Sequence, residues 1–153
     1  MGPRDLGGCP APDADDDGVP DQADRCPDAK EVWNARKDGD GCPDKGTALA
    51  TVGEGRIRLA RVPRLTSRGA IAAADRGLVV VAGHILRSTR AGAVHLIAVT
   101  DYGLSYGDSL QRAARLAGAA AAAISTAAKL APGLLEPTPR GPDGDPRIVL
   151  EYR

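Results

Sequence analysis

The sequence predicts an α+β protein, in which an irregular acidic segment precedes a β-α-β-α-β two-layer sandwich. The first observation is the uneven charge of the 153-residue chain, since residues 1–45 carry 12 acids and 6 bases and the rest carry 8 acids and 14 bases. The second is that all three Cys and the only Trp lie in the acidic part, whereas the long apolar stretches lie after it. Such asymmetry indicates segments with different physical roles, which we place at residues 1–46 and 47–153.

Three strands are predicted in the second part, from period-two alternation and strong β-forming residues. They are residues 57–62, 93–99 and 147–152. Pro63 confines the first strand to an edge of the sheet or ends it, because proline cannot donate to a ladder. Residues 137–146 are expected to form the loop before the last strand.

Two helices are predicted between these strands. The first is expected at residues 70–87, which are rich in Ala and Val, although residues 79–81 alone could be a buried strand. The second is expected at residues 108–129, with Asp108 or Ser109 as its N-cap. Helices on one face of the sheet complete the two-layer arrangement.

Alternating aspartates dominate the acidic part. A hard cation such as Ca²⁺ takes six to eight oxygen ligands, and alternate carboxylates on a curved loop point inward toward it. Gly18 supplies the positive φ that turns the chain around the ion. The candidate ligands are the side chains of Asp13, Asp15, Asp17, Asp21 and Asp24 and the carbonyl group of Val19. A disordered acidic linker is the alternative interpretation.

A shorter copy of this loop follows, with Asp38 and Asp40 as candidate ligands. The two copies end in Cys-Pro at Cys26 and Cys42, and residues 5–10, which end in Cys9-Pro10, form a worn copy upstream. Cysteines in such an array suggest an oxidising compartment and a Cys26–Cys42 disulfide. Zinc is the rival interpretation, but the chain has no Cys-x-x-Cys pair.

Residues 13–27 follow the pattern Asp-x-Asp-x-Asp-Gly-x-x-Asp-x-x-Asp-x-Cys-Pro, which resembles a thrombospondin type 3 repeat. The resemblance implies calcium binding and disulfide-bonded cysteines. In bacteria such repeats often precede an OmpA-like domain, with a junction of the form Glu-x-x-Asn followed by Asp-x-Asp-Gly-Cys-Pro-Asp-Lys-Gly. Residues 31–34 and 38–46 match that junction.

The second part resembles the OmpA-like, peptidoglycan-associating domain. Thr100 and Asp101 match the end of that family's second strand, and residues 108–113 match the start of its following helix. In the family, the Asp pairs with an ammonium and the Arg with a carboxylate of the peptidoglycan stem peptide. The resemblance therefore implies that Asp101 and Arg112 bind peptidoglycan, with Arg115 as a rival for the Arg role.

The remaining patterns indicate whether the protein is an enzyme. No nucleophile motif, phosphate loop or paired-carboxylate arrangement stands out, so we expect a non-enzyme. His84 and His95 lie within apolar runs and are expected to be packing residues. A small α/β enzyme that uses one of them is the alternative.

The expected setting is the bacterial periplasm, in association with the outer membrane. The apolar runs are too short for a transmembrane helix, the N-terminus lacks a signal-peptide pattern, and unpaired Cys9 suggests a missing, membrane-anchored N-terminal part. We expect Ca²⁺ as cofactor, peptidoglycan as partner and no nucleic-acid partner. The alternative function is a calcium-dependent adhesion or spacer module that has lost peptidoglycan binding.

Overall fold

The computed structural model describes residues 11–100 and 105–152. Within them the chain has an α+β architecture with a five-stranded sheet and two α-helices. The strands are β1 (Ala50–Gly53), β2 (Arg56–Leu59), β3 (Val94–Val99), β4 (Leu135–Arg140) and β5 (Arg147–Tyr152). The helices are α1 (Arg76–Thr89), preceded by a 3₁₀ turn at Ala73–Asp75, and α2 (Tyr106–Ala128). The sheet order is β1-β2-β5-β3-β4, and only the pairing of β3 with β4 is parallel.

The sequence pattern predicts neither β1 nor β4. The expected first strand, residues 57–62, ends at Leu59 and pairs with β1 through a two-residue turn, in which Glu54 and Gly55 both have positive φ (53° and 72°). Turns of this kind match the twist of a hairpin. The expected loop at residues 137–146 is also wrong at its start, because β4 continues to Arg140.

The starts of both helices differ from their predictions. α1 begins at Arg76, six residues later than expected, and α2 begins at Tyr106. The predicted N-cap of α2 at Asp108 or Ser109 is wrong, because the hydroxyl of Ser105 accepts a hydrogen bond from the N–H of Asp108. Ser105 therefore satisfies one of the N–H groups that an α-helix leaves unpaired at its start.

The two helices pack on one face of the sheet. Alternate strand residues form the buried face, namely Ile57, Leu59, Leu96, Ala98, Ile148 and Leu150. The small residues of α2 let α1 approach closely, since a Cβ atom at Gly83 would lie only 2.7 Å from the Cβ of Ala128. Close helix packing thus forms a core in a chain that has no Phe. Among the described residues, neither helix combines the length and the apolar character needed to cross a bilayer.

The acidic segment shares this core. Val19 and Trp33 are 0% and 1% exposed and belong to the same buried cluster as the strands and helices. The indole N–H of Trp33 donates to the carbonyl of Asp17 at 2.7 Å. A Cβ atom at Gly18 would lie 3.3 Å from the side chain of Val52 in β1. The acidic segment therefore packs against the sheet and shares its core. The division of the chain at residue 46 stays a prediction.

A buried carboxylate holds the loop between β2 and α1. The side chain of Asp75 has no exposed surface and accepts hydrogen bonds from Arg61 Nη2, from Arg64 Nε (3.1 Å) and from the Arg64 backbone N–H (2.9 Å). The hydrogen bonds from Arg64, with that from Arg61 adding to them, lower the pKa of Asp75 to about 2. Asp75 thus keeps its charge although it is buried.

Candidate metal centre

Hydrogen bonds between carboxylates and backbone N–H groups shape the first aspartate loop, residues 13–24. Asp13 accepts from the N–H groups of Asp17 (3.2 Å) and Gly18 (2.9 Å). Asp21 accepts from a backbone N–H near the start of the loop at 2.8 Å, which closes the loop. Gly18 has a φ of 94°, which a residue with a side chain rarely adopts.

Asp13, Asp15 and Asp17 form a compact group whose carboxylate ligand atoms lie within 4.8 Å of one another. Two oxygens on opposite sides of a Ca²⁺ ion are about 4.6–5.2 Å apart, so one ion of that size fits among the three. Asp17 is 2% exposed, and its oxygens also accept from the N–H groups of Val19 (2.7 Å) and Glu31 (2.8 Å). The three aspartates could therefore hold a metal ion.

The carboxylate of Asp15 has no clear hydrogen-bond partner among the described residues. Both of its oxygens are buried and accept no hydrogen bond from the residues that the structure describes. Burial raises the pKa of Asp15, and the negative charges of Asp24 and Asp13 add to the effect. Burial likewise raises the pKa of Asp17. A cation at this point would supply the missing partner and would lower both pKa values.

Asp24 lies beside this group and contacts the second aspartate loop. Its Oδ1 atom accepts from the N–H of Cys26 at 2.7 Å, and its Oδ2 atom is buried with no hydrogen-bond partner in the described ranges. A Cβ atom at Gly41 would lie 1.9 Å from Asp24 Oδ1, so only glycine fits there. A disulfide joins Cys26 to Cys42, with Cα atoms 5.1 Å apart, and ties the two loops together.

The carboxylates of the second aspartate loop, residues 38–44, differ from those of the first loop in their contacts. Asp38 accepts from the N–H groups of Asn34 and Ala35 at 3.1 and 2.8 Å. Asp40 accepts from the N–H of Cys42 at 3.0 Å. Within residues 11–100 and 105–152, neither Asp38 nor Asp40 joins a group of three or more metal-ligating side chains.

Glu31 is a buried carboxylate whose role the sequence pattern does not predict. It is 6% exposed and accepts from the N–H groups of Val32, Gly39 and Gly41 at 3.0–3.1 Å. Burial raises its pKa to about 7, and the charge of Asp40 adds to the effect. The junction pattern contains this Glu, but a pattern of residue types does not reveal that the side chain turns inward and organises the second loop.

The structure places only one member of the expected peptidoglycan pair. Asp101 lies outside the described residues, and Arg112 is exposed on α2. Next to them, the hydroxyl of Thr100 donates to the carbonyl of Ser109 at 2.9 Å, which ties the end of β3 to the start of α2. The Asp101–Arg112 site stays a prediction.

Both histidines are exposed, so the expectation that they are packing residues is wrong. His95 lies on the face of β3 opposite to Leu96 and Ala98, with Nδ1 at 3.3 Å from Glu136 Oε2. His84 borders a shallow pocket of about 190 Å³, whose other lining residues are Trp33, Asp38, Gly39 and Arg87. None of these lining side chains is a Ser, Thr or Cys nucleophile.

No protein-family model and no curated protein matches the chain. The fold and the site therefore define a class in chemical terms only. The described chain is an α+β protein whose acidic N-terminal segment carries three carboxylates that could hold a metal ion.

Proposed function

We propose that this chain is a non-catalytic protein of a bacterial envelope, in which a calcium-binding segment precedes an OmpA-like domain that associates with peptidoglycan. The calcium part is carried by one observation, the buried carboxylate of Asp15 between Asp13 and Asp17, which has no hydrogen-bond partner among the described residues. An all-carboxylate donor set suits a hard cation rather than zinc or copper. The resemblance of residues 13–46 to thrombospondin type 3 repeats supports Ca²⁺ as that cation.

The ion would be held by Asp13, Asp15 and Asp17. Asp24 supplies a further candidate oxygen, since its Oδ2 atom is buried without a hydrogen-bond partner in the described ranges and its charge acts on Asp15. Ca²⁺ accepts more oxygens and looser geometry than Mg²⁺, which suits an irregular loop. Ca²⁺ would offset the mutual repulsion of these carboxylates and so stabilise the folded segment.

A calcium titration of matched variants tests this proposal. Asp15→Asn is expected to weaken Ca²⁺ binding by about tenfold or more, which corresponds to about 1.4 kcal/mol. Asp28→Asn is the matched control, because Asp28 is exposed in the same segment and the charge change is identical. Isothermal titration calorimetry measures both. A wild-type protein that binds no Ca²⁺ at millimolar concentration, or equal weakening in both variants, contradicts the calcium site.

The OmpA-like part of the proposal is supported by the match around Thr100 and Asp101 and by the order of elements. β2, α1, β3, α2 and β5 follow one another in the predicted β-α-β-α-β order, with β1 and β4 as additional strands. An excess of Arg on this part of the chain also suits an anionic cell-wall polymer. We assign the chain to the periplasm, in association with the outer membrane.

Retention on purified sacculi tests the peptidoglycan site. Asp101→Ala and Arg112→Ala are expected to release the protein, whereas Arg115→Ala is expected to leave it bound. Equal retention of the wild type and all three variants would show that Asp101 and Arg112 are not the residues that bind peptidoglycan. A wild-type protein that is not retained favours the calcium-dependent spacer or adhesion module instead. Calcium affinity is measured in parallel, so failure of one part leaves the other part testable.

A further inference from the structure

Away from the aspartate loops, the loop between β2 and α1 is rich in arginine. Residues 60–76, which we call the arginine loop, run from the end of β2 to the first residue of α1 and contain Arg61, Arg64, Arg68 and Arg76 and a single acid, Asp75. All four arginines are exposed, whereas Asp75 is 1% exposed. The surface of this loop therefore presents cations without an exposed acid of its own.

Asp75 orients two of these cations. It holds Arg61 through Nη2 and Arg64 through Nε, and the two side chains remain 50% and 70% exposed. Each guanidinium has further N–H donors that these bonds leave for another acceptor. One carboxylate thus fixes two guanidiniums and neutralises only one of them. Fixing an Arg side chain before binding removes part of the entropy cost that binding would otherwise carry.

The tip of the arginine loop is also ordered. An isolated antiparallel bridge links Leu65 to Ile71, and the N–H of Thr66 donates to the carbonyl of Ala70 at 2.7 Å. Arg68 lies at the tip of this tight turn. In the described part of the chain no ion pair involves Arg68 or Arg76, so their charges are available to a ligand.

We propose that the arginine loop binds phosphate groups. Arg61 and Arg64 already engage one anion together, because each guanidinium pairs with a different oxygen of the Asp75 carboxylate. A phosphate group has non-bridging oxygens that point in different directions, so it can accept from two guanidiniums in the same way, through N–H donors that Asp75 does not use. This inference goes beyond the proposed calcium and peptidoglycan functions and depends on neither.

Binding is tested with the full chain and two phosphate sources, at one fixed calcium concentration. The first is vesicles of phosphatidylglycerol, compared with vesicles of phosphatidylcholine by co-sedimentation. The second is inorganic phosphate, added as a competitor and followed directly by phosphorus NMR line width. Competition by inorganic phosphate identifies the phosphate group itself as the ligand, and vesicle binding without competition identifies the lipid surface as its source. Both results support the proposal.

The test variants are Arg61→Gln and Arg68→Gln, singly and together. Each arginine near an anionic lipid surface contributes about fivefold in affinity, so the double variant is expected to lose about thirtyfold. Arg115→Gln is the matched control, since Arg115 is exposed on α2 and carries the same charge; it is expected to lose less than about twofold. Arg64 retains its two hydrogen bonds to Asp75 in these variants, and thermal unfolding checks that they stay folded.

Two results overturn the proposal. One is a wild-type protein that binds neither phosphatidylglycerol vesicles nor inorganic phosphate, which would leave Arg61 and Arg64 as a structural clamp on Asp75. The other is a loss of binding in Arg115→Gln equal to that in the double variant, which would indicate an unspecific effect of net charge.

Discussion

Val19 lies in the first aspartate loop, yet its side chain is completely buried in the core formed by the sheet and helices. Val19→Ala is therefore expected to destabilise the whole chain rather than the acidic segment alone. The substitution removes two methyl groups, at about 0.8 kcal/mol of transfer free energy each, and leaves a small cavity whose cost is added. We expect the free energy of unfolding to fall by about 2 kcal/mol.

Thermal and urea unfolding under non-reducing conditions measure this effect. For a chain of this length, a loss of about 2 kcal/mol lowers Tm by about 4–8 °C. The unfolding curve is expected to remain a single transition, because the two parts of the chain share one buried cluster.

Val80→Ala is the matched control, since Val80 is 36% exposed on α1 and the chemical change is identical. Its effect is expected to stay within about 0.5 kcal/mol. Equal effects of the two substitutions would refute the shared core. A separate early transition that alone responds to Val19→Ala would refute it as well, because the acidic segment would then unfold independently.

Three further predictions concern charge. Removal of Ca²⁺ by a chelator is expected to lower the free energy of unfolding by about 2.7 kcal/mol if the free ion had been at 100 times its Kd, and so to lower the Tm of the whole chain in one transition; a transition confined to the acidic segment would contradict this. Without Ca²⁺, the raised pKa of Glu31 means that its contribution to stability is complete below pH 4.5 and is lost as pH rises through about 7. Urea unfolding at a series of pH values checks this, and a Glu31→Gln variant with the same slope as wild type would count against it. Asp75 has a lowered pKa, so its contribution is present above pH 3.8 and is lost as pH falls through about 2. Asp75→Asn should cost about 1–3 kcal/mol at neutral pH and flatten the acid limb of the curve, and an unchanged acid limb would argue against the clamp.

The elements with a strong periodic pattern are predictable from the sequence. β3 and β5 lie within a residue of their predicted positions, because β3 is a short run of strong β-forming residues and β5 has the alternation of a half-buried strand. β4 escapes prediction because it contains Pro137 and Pro139, which disfavour strands in general. At the edge of a sheet they are tolerated, since one row of N–H groups there has no partner strand. β1 is only four residues long, and its Glu-Gly turn lacks the usual Asn-Gly pattern.

The candidate metal site is predictable only in part. The spacing of Asp13, Asp15 and Asp17 identifies carboxylates that lie together in the structure. The same pattern does not distinguish Asp38, which accepts from backbone N–H groups in its own turn, or reveal that Glu31 is buried. These differences depend on which way the backbone N–H groups point, and residue spacing carries no such information.

The two edges of the sheet differ in how accessible they are to pairing with another strand. β4 presents an edge that contains two prolines, which a further strand could pair with only incompletely. β1 is bracketed at its ends by the acidic segment, because the N–H of Leu49 donates to the carbonyl of Trp33 and the N–H of Glu54 donates to Asp16. These bonds anchor the acidic segment at both ends of β1, so its detachment is expected to leave this edge of the sheet more open to pairing with a strand of a neighbouring copy, which is a route to aggregation.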